Sequence, residues 1–81
     1  MTVSWRPVML AKDLLRGDTT LHLQEGNGVK LGDVLVPAGE YERLLVVQVT
    51  TPTSFQVVRG QHRSRNLPVL TELYVRPEPF P

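Results

Sequence analysis

The chain has 81 residues, nine Lys+Arg against eight Asp+Glu for a formal net charge of +1, 41% hydrophobic residues and no cysteine. That length makes one domain with a core barely large enough to hold it; without cysteine, disulfides and thiolate zinc sites are excluded as staples, which leaves oligomerisation as the expected support. The near-neutral charge balance disfavours nucleic acid as the main partner, and with no apolar run of roughly 18 residues and no signal-type start at Met1 to Arg6, a soluble, unprocessed chain without a membrane partner is expected.

After an opening arm, Val8-Met9-Leu10-Ala11 is a short apolar run ending at Lys12-Asp13. A helix over 8–16 is the competing reading, but the run is short, lacks a good N-cap and is hemmed in by Pro7 and Gly17. Thr19-Thr20-Leu21-His22-Leu23 alternates polar and apolar as a half-buried strand does. From Gln24 to Gly32 the glycines and the Asn27-Gly28 pair mark a loop or tight turn. Asp33 introduces the strand Val34-Leu35-Val36, closed by Pro37-Ala38-Gly39. The longest strand expected is Tyr41 to Val49, apolar on both faces in its middle and therefore central in its sheet. Thr51-Pro52-Thr53 turns it into Ser54-Phe55-Gln56-Val57-Val58-Arg59, a hairpin. Gly60 stops that strand, Gln61 to Asn66 form a polar loop, and Val69 to Val75 contain the last strand.

Short strands between regularly spaced turn signals predict an all-β fold, a small barrel or sandwich of about five to seven short, mostly antiparallel strands. The chain reads as a single domain over 1–81, with an N-terminal arm at 1–7, a β core at 8–75 and a Pro-rich C-terminal arm at 76–81. Strand period places Leu21, Leu23, Val34, Val36, Leu45, Val47, Phe55, Val57, Leu73 and Val75 inward, and Thr20, His22, Gln56 and Glu72 outward.

An enzyme needs a nucleophile with a base, a carboxylate pair, a metal set or a phosphate cradle, and the sequence shows none of them. No catalytic residue, cofactor or metal site is expected. Gly26-Asn27-Gly28 lacks the Lys-Ser/Thr ending of a phosphate loop. Glu40 and Glu42, beside Arg43, read as a surface ion-pair group. His22, between two leucines, reads as a surface histidine. The most uneven charge is Arg59, His62, Arg63 and Arg65, a loop that is either solvated or suited, through its planar guanidinium forks, to an acidic protein surface or, less readily, a phosphate backbone. The arms carry one aromatic each. Trp5 and Phe80 stand among polar residues and prolines, in segments that either fray or reach across a neighbouring subunit at low entropic cost. Trp5, Arg59, His62, Arg63, Arg65 and Phe80 are thus the candidate partner-binding residues.

The order of features resembles a β module that recurs in structural proteins of tailed bacteriophages. The resembling pieces are Leu10, the opening Asp18-Thr19-Thr20-Leu21, the segment Gly32-Asp33-Val34-Leu35-Val36, Glu40 with Arg43, and Val47-x-Val49. They continue with Ser54-Phe55-Gln56-Val57-Val58-Arg59-Gly60 and a histidine in the loop that follows. The loop itself departs from the family pattern, which places Gly-Thr and small residues where this chain has Gln61-His62-Arg63-Ser64-Arg65-Asn66. The resemblance implies a virion location and a capsid decoration or cement protein without enzymatic activity. Its partner would be the major capsid protein or another virion protein, and it would act as a small homo-oligomer, a trimer being the expected form. A head-to-tail connector or tail accessory protein is the alternative within the virion. A small nucleic-acid-binding β barrel, with Arg59, Arg63 and Arg65 on its groove, is the alternative outside it.

Overall fold

The computed structural model describes residues 4–39, 42–60 and 65–77 of the chain. Six strands form one antiparallel sheet: β1 (Arg6–Met9), β2 (Thr20–His22), β3 (Val34–Pro37), β4 (Leu44–Thr51), β5 (Ser54–Arg59) and β6 (Glu72–Val75). Their order across the sheet is β1-β6-β3-β4-β5-β2. The fold is all-β, and no helix occurs among the described residues. The first apolar run is strand β1, confirming strand over helix, and it starts at Arg6, so the last two residues of the expected N-terminal arm belong to the sheet. Pro7 is tolerated there because β1 is an edge strand, where a missing N–H leaves no ladder bond unmade.

The sheet curls but does not close into a barrel. Its two edges meet at a single bridge, Leu10↔Leu23, where Ala11 N donates to His22 O at 2.9 Å and Gln24 N to Met9 O at 3.0 Å. A second bridge, Leu14↔Leu67, ties the 11–19 segment to the approach to β6. Leu10, Leu21, Leu35, Leu44, Phe55 and Leu73 are 0% exposed and form the centre of the enclosed core, with Leu14, Val29 and Leu67 added from the connections. The loop before β3 is held by Asn27, itself buried. Its Nδ2 donates to Gln24 O at 2.8 Å and Pro52 O at 3.0 Å while its Oδ1 accepts from Val29 N at 2.9 Å. Gly28 follows at φ +65°, with the Arg6 guanidinium 3.4 Å from where a Cβ would stand. A side chain here meets both an unfavourable backbone and a neighbour.

Strand β4 is central, as its apolar run implies, but its phase is the reverse of the expected one. Leu44 and Val46 are buried, whereas Leu45 and Val47 are 41% and 46% exposed. With apolar residues at every position from Leu44 to Val47, period-2 reasoning finds no polar residue to choose a face. Pairing chooses it instead: Leu44 lies opposite Leu35, and Val46 opposite Val57. Strand β3 shows the same ambiguity. Leu35 and Pro37 point inward, and Val36 is half-buried on the other face. The remaining expected core residues, Leu21, Leu23, Val34, Phe55, Val57, Leu73 and Val75, are buried.

This phase makes a direct prediction about neighbouring leucines. Leu44→Ala should cost about 2–5 kcal/mol, enough to unfold much of so small a domain, while Leu45→Ala should cost less than about 1 kcal/mol. Urea melts of the two variants check it, and the opposite order would reverse the assignment of faces.

Candidate functional site

The basic stretch does not behave as one surface. Arg59 ends β5 with its side chain only 5% exposed, facing Glu42, whose side chain is 1% exposed. Nε donates to Glu42 Oε2 at 2.7 Å and Nη2 to Oε1 at 2.9 Å, a two-pronged pair. Nη1 also donates to Leu15 O at 2.6 Å and Asp18 O at 3.3 Å, and Nη2 to Arg65 O at 2.8 Å. All the donors of the guanidinium fork are therefore used inside the chain. Two expectations change. Arg59 is an internal fastener, removed from the candidate docking surface, and Glu42 pairs across the hairpin with Arg59 in the interior instead of with Arg43 at the surface. The adjacency Glu42-Arg43 is misleading because Glu42 is buried whereas Arg43, the next residue, is exposed.

Of the other candidates, Arg65 is exposed and contributes its carbonyl to Arg59. His62, Arg63 and Phe80 lie outside the described residues, as does Glu40. Trp5 is 40% exposed. It stands at one end of an open, mainly apolar groove of about 520 Å³ lined with Val36, Pro37, Ala38, Gly39 and Tyr74. The pairing Pro7↔Tyr74↔Val36 across three strands puts Tyr74 and Val36 on the outer face, opposite the core, whereas the Pro37 side chain is buried beneath it. The Tyr74 hydroxyl donates to Glu72 Oε1. That hydrogen bond first, and the carboxylate's charge second, hold the phenol pKa above its ordinary 10.0, so Tyr74 stays a neutral donor at physiological pH.

A second outer feature was not anticipated. Leu45, Val47 and Val58 are 41%, 46% and 55% exposed, and Leu45 lies directly opposite Val58 on the β4–β5 hairpin; a register shift after Val46 puts Val49 opposite Phe55, on the other face. The signal was present in the sequence as an apolar run without alternation. Read as two-sided burial, it instead marks one buried face and one bare one.

Among the described residues, the polar pocket between Lys12, Asp13, Asp18 and His22 holds an arrangement with a chemical look. His22, half-buried on β2, approaches Ser54 Oγ through Nδ1 at 3.2 Å across the β2–β5 ladder. The two nearby carboxylates are engaged by backbone amides, Asp13 by Val69 N at 2.6 Å and Asp18 by Leu15 N at 2.9 Å. They brace loops, as carboxylates in Asx turns do. Among the described residues no group of three His, Cys, Asp or Glu is placed to hold a metal ion. Compared with known proteins, the chain matches no family model and no curated sequence.

The role given to Arg59 yields a test. Arg59→Met should cost about 3–5 kcal/mol because it strands the buried Glu42 carboxylate, and adding Glu42→Leu should recover most of the loss. Arg59→Lys should fail to substitute, since a point charge cannot serve the carboxylate and three carbonyls together. Thermal melts of the three variants measure this, and little change in Arg59→Met and Arg59→Lys would return Arg59 to the surface.

Proposed function

We propose that the chain is a structural, non-catalytic virion protein of a tailed phage, a capsid decoration protein that binds between capsid subunits through the outer face of its β4–β5 hairpin. The single observation that carries this reading is the bare aliphatic cluster Leu45, Val47 and Val58 on the outer face of the hairpin. Contiguous exposed apolar surface marks an interaction site, and aliphatic side chains offer a phosphate backbone nothing while offering a protein surface dry, shape-dependent contact. The resemblance of the residue order to phage virion modules supplies the setting.

The mechanism requires no chemistry. Binding free energy present only in the assembled shell raises shell stability by linkage. Each aliphatic side chain completing its burial adds a fraction of about 1.5–3 kcal/mol. Repetition over a lattice lets such modest contacts sum, above all when an oligomer engages several subunits at once.

Quantitative mass spectrometry of the purified particle tests the location and position. Hundreds of copies are expected; six or twelve would make this a neck or tail component, and absence from the particle would overturn the virion reading. In parallel, Leu45→Glu with Val58→Lys should leave the fold intact, since both positions are exposed, and reduce binding to shells lacking the protein by at least about tenfold. Undiminished binding would move the interface away from the hairpin.

A further inference from the structure

The groove under Trp5 has the chemistry of a proline-recognition surface. Two aromatic rings, Trp5 and Tyr74, stand with Val36 and the small residues Ala38 and Gly39 around an open slot on the sheet's outer face. Grooves lined by aromatic side chains take extended proline-rich segments, because the flat rings pack against pyrrolidine and the segment has little entropy left to lose. The same chain ends in such a segment: residues 76–81 read Arg-Pro-Glu-Pro-Phe-Pro, with proline at every second position from 77 and an aromatic between the last two.

We propose that the Trp5–Tyr74 groove receives the C-terminal tail, residues 77–81, of a second copy of this chain. This inference stands independently of the virion reading, since groove and tail both belong to this chain. Direction of travel makes the exchange intermolecular. Strand β6 runs antiparallel to β3, with Leu73 opposite Pro37 and Val75 opposite Leu35, and Arg76 N continues the ladder by donating to Val34 O at 2.9 Å. The chain therefore leaves β6 toward the start of β3, while the groove's far wall, Pro37 to Gly39, lies at the end of β3. Filling its own groove demands a full reversal within five residues, three of them proline with φ held near −65° and none of them glycine. Extended, those residues span about 15 Å at 3.1 Å each, enough to cover the roughly 10 Å between the outer two of the three strands, β1 and β3.

A tail-in-groove contact is heterologous. Each copy offers one tail and one groove, so the contacts close into a ring when the rotation between copies allows it. This gives the small domain the outside support that its disulfide-free core calls for.

Trp5 is the chain's one tryptophan, so its fluorescence reports the groove directly. The probe is a synthetic Arg-Pro-Glu-Pro-Phe-Pro peptide titrated into a chain ending at Arg76. A saturable shift of Trp5 emission is expected, weakened at least about tenfold when the peptide's prolines are replaced by alanine. Sedimentation of the full chain should show a discrete oligomer at micromolar concentration that is lost on truncation after Arg76 and, separately, in Trp5→Ala. Mixing those two deficient chains should restore a one-to-one pair, since one retains the groove and the other the tail. Three results would overturn the proposal: no peptide-induced change, a truncated chain that associates as the full chain does, or a monomeric full chain whose Trp5 emission is already shifted at every concentration. The particle copy number is read separately, so failure here leaves the virion reading untouched, and the reverse holds too.

Discussion

The Arg59 guanidinium holds together parts of the molecule that no ladder connects. From the end of β5 it reaches the carboxylate that precedes β4, the carbonyls of Leu15 and Asp18 in the connection between β1 and β2, and the carbonyl of Arg65 on the way to β6. Burying a charge is costly unless it is paired and its remaining donors are satisfied. Here both conditions hold, and no buried side-chain polar atom among the described residues lacks a partner. A chain without cysteine has few other ways to tie loops to a sheet this small. The arrangement also imposes order. A carboxylate and three carbonyls converging on one rigid fork admit a single mutual placement of hairpin and loops.

That placement explains how a sheet that stops short of barrel closure still encloses a core. The edges need only the Leu10↔Leu23 bridge because the 11–19 segment, braced by Arg59 at one end and by the Leu14↔Leu67 bridge at the other, carries Leu14 into the interior. Asn27 performs a similar task with neutral groups, linking its own loop to the β4–β5 turn through Pro52. Polar side chains thus position the loops, and apolar ones fill the space they define.

Using one face of the sheet to build the core leaves the other to face outward, and this outer face is not uniformly polar. It carries the aliphatic cluster of the hairpin and, across the sheet, the groove between Trp5 and Tyr74. The two differ in what they can recognise. Branched aliphatic side chains present a broad, nearly featureless apolar surface suited to another folded surface, whereas an aromatic slot suits an extended segment.

The sequence by itself determined the class of the fold: alternation in Thr20–His22 and Ser54–Arg59, with turn residues between the runs, permits strands and little else. It also determined which strand would be central, since its apolar run is the longest in the chain. What it left open was the phase of β3 and β4, where apolar residues at consecutive positions satisfy period 2 equally well in either sense. Leu44 rather than Leu45 enters the core because the ladders to Leu35 and Val57 set the register, and those contacts join residues distant in the chain. The same holds for Arg59. Counted along the sequence, it belongs with Arg63 and Arg65 in a basic stretch; in space it belongs with Glu42. Charge composition is a local property and pairing is not, so only the tertiary structure could turn an apparent binding residue into the fastener of the fold, and reveal the groove that three strands distant in the chain build beneath Trp5.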